Sequence, residues 1–168
     1  TVNNGVGFGG LYFKLTADLT LPKDCLQTGK SNAFYGTFDG GNHTVTIENG
    51  GTSMFGILEE GALVKNVKIQ GENIAGSALA SSVRAATVQN CTVLSGTNTT
   101  DAALAGGGSN GAQFINCTVE SGVKCGWDST TEQSTDKSGM GSIIGSAVGA
   151  TIVNCKSAAE VYGKSNVG

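Results

Sequence analysis

Apolar and polar positions alternate over short runs along this chain. Val45 and Ile47, Val67 and Ile69, Cys91 and Val93, and Cys117 and Val119 each stand two apart, with a polar or charged residue between them. A period of two puts each pair on one face of a β-strand, so the pattern predicts short strands buried on one side. A second strand is predicted upstream of each pair, where Phe55, Leu79, Ala105 and Ile143 share one offset inside runs of Gly and Ser such as Gly76-Ser77-Ala78-Leu79-Ala80 and Gly141-Ser142-Ile143-Ile144-Gly145. Nothing between these runs has helical character.

Four windows repeat the pattern around an asparagine: Gly61-Ala62-Leu63-Val64-Lys65-Asn66-Val67, Ala85-Ala86-Thr87-Val88-Gln89-Asn90-Cys91, Gly111-Ala112-Gln113-Phe114-Ile115-Asn116-Cys117 and Gly149-Ala150-Thr151-Ile152-Val153-Asn154-Cys155. Units of this length are too small to bury their own apolar faces and must stack on one another. The expected fold is all-β: a single-stranded parallel β-helix of five to six coils, about 4.8 Å apart, whose hand the repeat does not give. A leucine-rich repeat would need several Leu at fixed offsets, and a β-sandwich would lack the common register. One domain is expected over residues 1–168, read as a fragment of a longer protein and open at its C-terminal end, where Val161-Tyr162-Gly163 brings no polar cap. From fourteen residues before each Asn to about five after it the units align without insertion. The length variation is therefore expected beyond Gly71, Gly96 and Gly122, at corners formed by 72–75, 97–101 and a loop insertion, 123–139.

Composition sharpens this picture. Gly is abundant at 27 residues and Pro22 is the only proline, which suits many tight corners and opposes a proline-rich disordered chain. A net charge of -3 with 10 unclustered basic residues excludes nucleic acid and an anionic membrane surface as partners, and no apolar run is long enough for membrane insertion.

Tyr12-Phe13-Lys14-Leu15-Thr16-Ala17-Asp18-Leu19, followed by Gly36-Thr37-Phe38-Asp39-Gly40-Gly41-Asn42-His43-Thr44-Val45, resembles the opening of bacterial cell-surface repeat proteins with GLUG motifs. In that family a phrase like "YFKLTADI" precedes "GTFDGNGHTI" and glycine-rich coils ending in Ile-x-Asn-Cys. Here Val88 to Cys91 and Ile152 to Cys155 match those endings, while Gly40-Gly41-Asn42-His43 departs from the family's Gly-Asn-Gly-His. The resemblance implies a right-handed β-helix on a secreted or wall-attached bacterial protein, often adhesin-like. It carries no family-wide catalytic residue.

Candidate chemistry is sparse. Asn66, Asn90, Asn116 and Asn154 fall where each coil turns and are expected to form a structural ladder of stacked amides. Cys91, Cys117 and Cys155 continue the row begun by Val67 and are expected as inward, free thiols acting as small hydrophobes. Cys25 and Cys125 are read as loop residues outside that row, and their pairing stays open. His43, the sole histidine, is read as lying many coils from the Cys row, which opposes a zinc site. No cofactor is expected. The carboxylates Asp39, Glu59, Glu60, Glu72, Asp101, Asp128 and Asp136 share no offset in adjacent coils, as a carbohydrate-active enzyme would require. Trp127 and Asp128, in the insertion, are the candidate ligand-binding pair: an indole to stack on a sugar and a carboxylate to bond its hydroxyls. The alternative for Trp127 is a plug for a gap. The expected function is a non-catalytic, adhesin-like scaffold binding a glycan or host surface protein. The alternatives are a carbohydrate-active enzyme fragment and a purely structural stalk.

Overall fold

The computed structural model describes residues 8–25, 33–138, 140–165 and 167. Their parallel strands stack as a right-handed parallel β-helix, and no helix is present among them. The first face is six strands deep: Tyr12–Lys14, Thr37–Asp39, Leu63–Lys65, Thr87–Gln89, Gln113–Ile115 and Thr151–Val153. The second, also six deep, is Leu19–Leu21, Thr44–Ile47, Lys68–Gly71, Thr92–Val93, Thr118–Val119 and Lys156–Ser157. Alternation decides what enters the core. Phe38, Val64, Val88, Phe114 and Ile152 stand over one another on the first face, and Val45, Ile69, Val93 and Val119 on the second. Every residue of these rows is buried except Phe38 and Ile152, the two ends of the first.

The expected corners at 72–75 and 97–101 are in fact a third face. Asn98–Thr99, Lys124–Cys125 and Glu160–Val161 pair in parallel, and Ile74 bridges to Thr99 one rung earlier. Ile74, Thr99 and Cys125 line its inner side and are fully buried. Two-residue strands with threonine pointing inward give almost no alternation to read. Cys125 is accordingly a strand residue of the core and not part of a loop, and the inserted segment begins only after it.

The fourth face, Phe55–Leu58, Ala80–Arg84, Ala105–Ser109 and Ile144–Val148, corrects the expected register. Phe55 stands over Ala80, Ala105 and Ile144, so the second and fourth units are shifted by one residue from the alignment through Leu79 and Ile143. The slack is taken up at the next corner. Glu59-Glu60-Gly61 and Ser109-Asn110-Gly111 turn with three residues, closing on glycines at φ 83, whereas Arg84-Ala85 and Val148-Gly149 turn with two. Ala85 holds the left-handed conformation (φ 48) that its neighbours assign to glycine.

The asparagine corner is uniform. Asn66, Asn90, Asn116 and Asn154 have φ of 55, 52, 53 and 52, a conformation asparagine tolerates better than other non-glycine residues. Asn90 Nδ2 donates to Asn66 Oδ1 (3.1 Å) and Asn116 Nδ2 to Asn90 Oδ1 (3.3 Å). The row lies on the outside of the corner, with Asn90, Asn116 and Asn154 exposed. It starts on Asp39. Asp39 Oδ1 accepts from Asn66 Nδ2 and from the Gly41 N–H, both at 3.0 Å, and its Oδ2 accepts from the Tyr12 hydroxyl at 2.7 Å with Lys65 Nζ 3.7 Å away. The Tyr12 hydroxyl, then the Gly41 N–H and the Asn66 amide, hold this nearly buried carboxyl well below the ordinary carboxylate range. Because the folded pKa is depressed, the stabilisation is complete above the unfolded value of about 4 and is lost as pH falls below it. Asp39→Ala is expected to cost about 2 kcal/mol at neutral pH. Urea unfolding of both proteins should show that gap narrowing steadily below about pH 4.

His43 is closer to the cysteine row than its spacing suggested. Its carbonyl accepts from Lys68 N (3.1 Å) just as Val67 O accepts from Thr92 N (2.9 Å), so it lies one rung before Val67 and two before Cys91. The ring nonetheless turns outward, to within 3.3 Å of Asp18 Oδ1, while Cys91 is fully buried.

Candidate functional site

Among the described residues, one segment forms a hairpin outside the coil. After Lys124–Cys125 the chain turns at Gly126 and forms a hairpin, Trp127–Asp128 against Gln133–Ser134, the only antiparallel pair among the described residues. Gly126 is required there: it sits at φ 68, and a Cβ would stand 2.1 Å from the Tyr162 carbonyl oxygen. Three contacts hold the returning strand. Thr135 N donates to Gly126 O (2.8 Å), Thr135 Oγ1 to Thr100 O (3.4 Å), and Lys137 Nζ lies 3.8 Å from Asp101 Oδ2.

The hairpin leans Trp127 against the third face. Its half-buried indole meets the Tyr162 ring at a centroid distance of 4.6 Å, tilted by 46°, and Lys124 Nζ rests over it 4.6 Å from the ring centre. Trp127, Lys124, Glu72, Asn98, Ser129 and Glu132 line an open cleft of about 420 Å³. An indole wall beside amide, hydroxyl, ammonium and carboxylate groups can stack on an apolar ring face and bond the polar groups around its edge.

Asp128, grouped with Trp127 by sequence, is not among the lining residues. Its Oδ1 accepts from Thr130 Oγ1 (2.5 Å) and Thr130 N (2.9 Å), which hold the carboxyl below its usual range and fix the hairpin turn. Glu72, Asn98, Lys124, Ser129 and Glu132 are the lining residues that sequence reasoning missed. Asn98 and Lys124 could have been found, because each stands eight residues beyond a ladder asparagine and so must stack. Glu72 and Glu132 depend on where the hairpin leans, which no offset encodes.

The cysteine row is a packing element. Cys91 and Cys117 are fully buried, and Cys155 closes the row at the last coil. Each thiol reaches backbone carbonyls of its own rung and the one before: Cys91 Sγ to Gln89 O (3.3 Å) and Val64 O (3.8 Å), Cys117 Sγ to Ile115 O (3.5 Å) and Val88 O (3.6 Å). Cys117 N donates to Cys155 Sγ at 3.3 Å. Burial pushes the Cys91 thiol up, and pushes Cys125 to about 11, so neither supplies a thiolate at neutral pH. Cys125 is a free thiol aimed at Ser142 O (3.9 Å) and makes no bridge to Cys25, which lines a separate apolar cavity of about 200 Å³ near the first coils with Phe13, Phe34, Phe38 and Phe55.

No protein-family model, curated protein or solved structure matches this chain.

Proposed function

We propose that this chain is a non-catalytic, adhesin-like scaffold of a secreted or wall-attached bacterial protein, in which the stacked coils act as a rigid rod and the Trp127 hairpin binds glycan. The observation that carries this reading is the hairpin itself. A coil that could have passed from its third face to its fourth through a short connection, as the preceding coil does at 100–104, instead spends about a dozen extra residues placing an indole over a polar cleft. The resemblance to GLUG-motif surface proteins supports the extracellular setting. A glycan array on the chain and on Trp127→Ala tests it. Ligands of the unmodified chain are expected to bind the variant at least about tenfold more weakly, as loss of a stacking aromatic entails. Equal signals from the two would remove the hairpin from the proposal, and silence from both would leave a structural stalk.

The composition of the cleft supports a second reading. Glu72 and Glu132 share it with Lys124, the side-chain types that a carbohydrate-active enzyme uses as acid and base. Release of new chain ends from a polysaccharide, abolished by Glu132→Gln, would establish that reading in place of simple binding.

A further inference from the structure

We propose that the hairpin cleft takes an oligosaccharide of amino sugars, with an ammonium group seated on the Trp127 indole between Glu72 and Glu132. This rests on the glycan-binding reading above and narrows it to a charge class.

Three observations converge on a cationic ligand. First, the indole face already holds a cation: Lys124 Nζ sits 4.6 Å from the ring centre, the geometry of a cation–π contact. Second, the cleft has an excess of unspent negative charge. Asp128 is occupied by Thr130 and Glu160 by the Tyr162 hydroxyl, but the carboxylates of Glu72 and Glu132 have neither hydrogen bond nor ion pair among the described residues. Third, the single cation present is a flexible lysine on a rigid strand, in register with Asn98 and Glu160, so it can swing off the ring without disturbing the coil. A ligand ammonium can replace it on the indole, while the sugar ring stacks on the remaining surface and Asn98 and Ser129 meet hydroxyls. Uronic acids and other acidic sugars would instead meet a net negative cleft, two carboxylates against one ammonium.

Replacement has a consequence that simple attraction lacks. Lys124 competes with the ligand for the same seat, so removing it should tighten binding.

The test titrates the intact chain with three probes of one length: a glucosamine tetramer, its fully N-acetylated counterpart and a galacturonic acid tetramer. Trp127 is the only tryptophan, so its fluorescence reports the site directly, and calorimetry serves for Trp127→Ala. The glucosamine tetramer is expected to bind about tenfold or more tighter than the galacturonate, and to weaken as salt is raised. Glu72→Gln with Glu132→Gln should cost about fivefold for glucosamine and leave the acetylated probe unchanged. Lys124→Ala should tighten glucosamine by about threefold. Preference for galacturonate, or weaker glucosamine binding in Lys124→Ala, would overturn the charge assignment while any Trp127-dependent binding kept the glycan reading. Absence of Trp127-dependent binding for all three probes would overturn both.

Discussion

Phe114→Ala is expected to lower the unfolding free energy by about 4 kcal/mol, the largest effect of any single core substitution considered for this chain. Phe114 is the largest fully buried side chain among the described residues and stands in register between Val88 and Ile152. Its ring fits because the facing position in the same coil is Gly108, where a Cβ would lie 2.9 Å from Phe114 Cε2 and 3.1 Å from the Ala150 Cβ. One coil earlier the same two positions hold Val83 and Val88. The rung cross-section is thus filled either by two medium residues or by one large and one absent side chain, since interiors tolerate neither void nor overlap. Gly108→Val alone should be destabilising by about 2 kcal/mol through overpacking. Adding Phe114→Val should recover stability relative to the sum of the two single changes, with a coupling of at least about 1 kcal/mol in a urea-unfolding cycle. Strict additivity would mean that the two positions do not share one space.

Gly126→Ala is expected to release the last coil and the hairpin together, at a cost of about 2–3 kcal/mol. The backbone there is left-handed, and the Tyr162 carbonyl oxygen occupies the place of a Cβ. Strain can be relieved most easily by moving the strand Glu160–Val161, whose attachments are Glu160 N to Val123 O and Tyr162 N to Cys125 O, each 2.9 Å. Hydrogen exchange should therefore accelerate at Glu160 and Tyr162 and stay slow at Val88 and Phe114, as expected for local opening at a solenoid end. Since Tyr162 also supports Trp127, ligand binding should fall as far as in Trp127→Ala although every lining side chain is kept. Unchanged exchange at Glu160 and Tyr162 would show that the last coil does not depend on this glycine.

What the sequence made legible follows from what repeats. The inward rows of Val45, Ile69, Val93 and Val119, on the second-face strands, and of Val67, Cys91 and Cys117, one residue before those strands, alternate cleanly with polar neighbours, and all are buried. The asparagine corner was legible because one backbone conformation selects one residue type four times. Features set by a single insertion were not. Asp39 anchors the amide row, but Gly40 to His43 add two residues to that corner relative to Asn66-Val67, so it shares no offset with the asparagines. The register shift on the fourth face arises because the corner after it holds two residues in the second and fourth units and three in the others, a difference that alignment on the asparagines hides. Cys125 reads as a loop residue because its strand is two residues long and precedes a hairpin. The cleft combines all of these: its lysine comes from a regular row, its tryptophan from an insertion, and its carboxylates from a corner and a hairpin tip.

The account depends on counterpart residues of successive coils lying one above another in parallel register. Methyl-resolved nuclear Overhauser spectroscopy on the labelled chain measures this directly. Cross-peaks are expected between Val64 and Val88, between Ile69 and Val93, and between Val93 and Val119, pairs that stand side by side on adjacent strands about 4.8 Å apart. Missing cross-peaks for these pairs, with close Hα–Hα contacts of antiparallel strands in the same segments, would contradict the stacked coil and every site built on it.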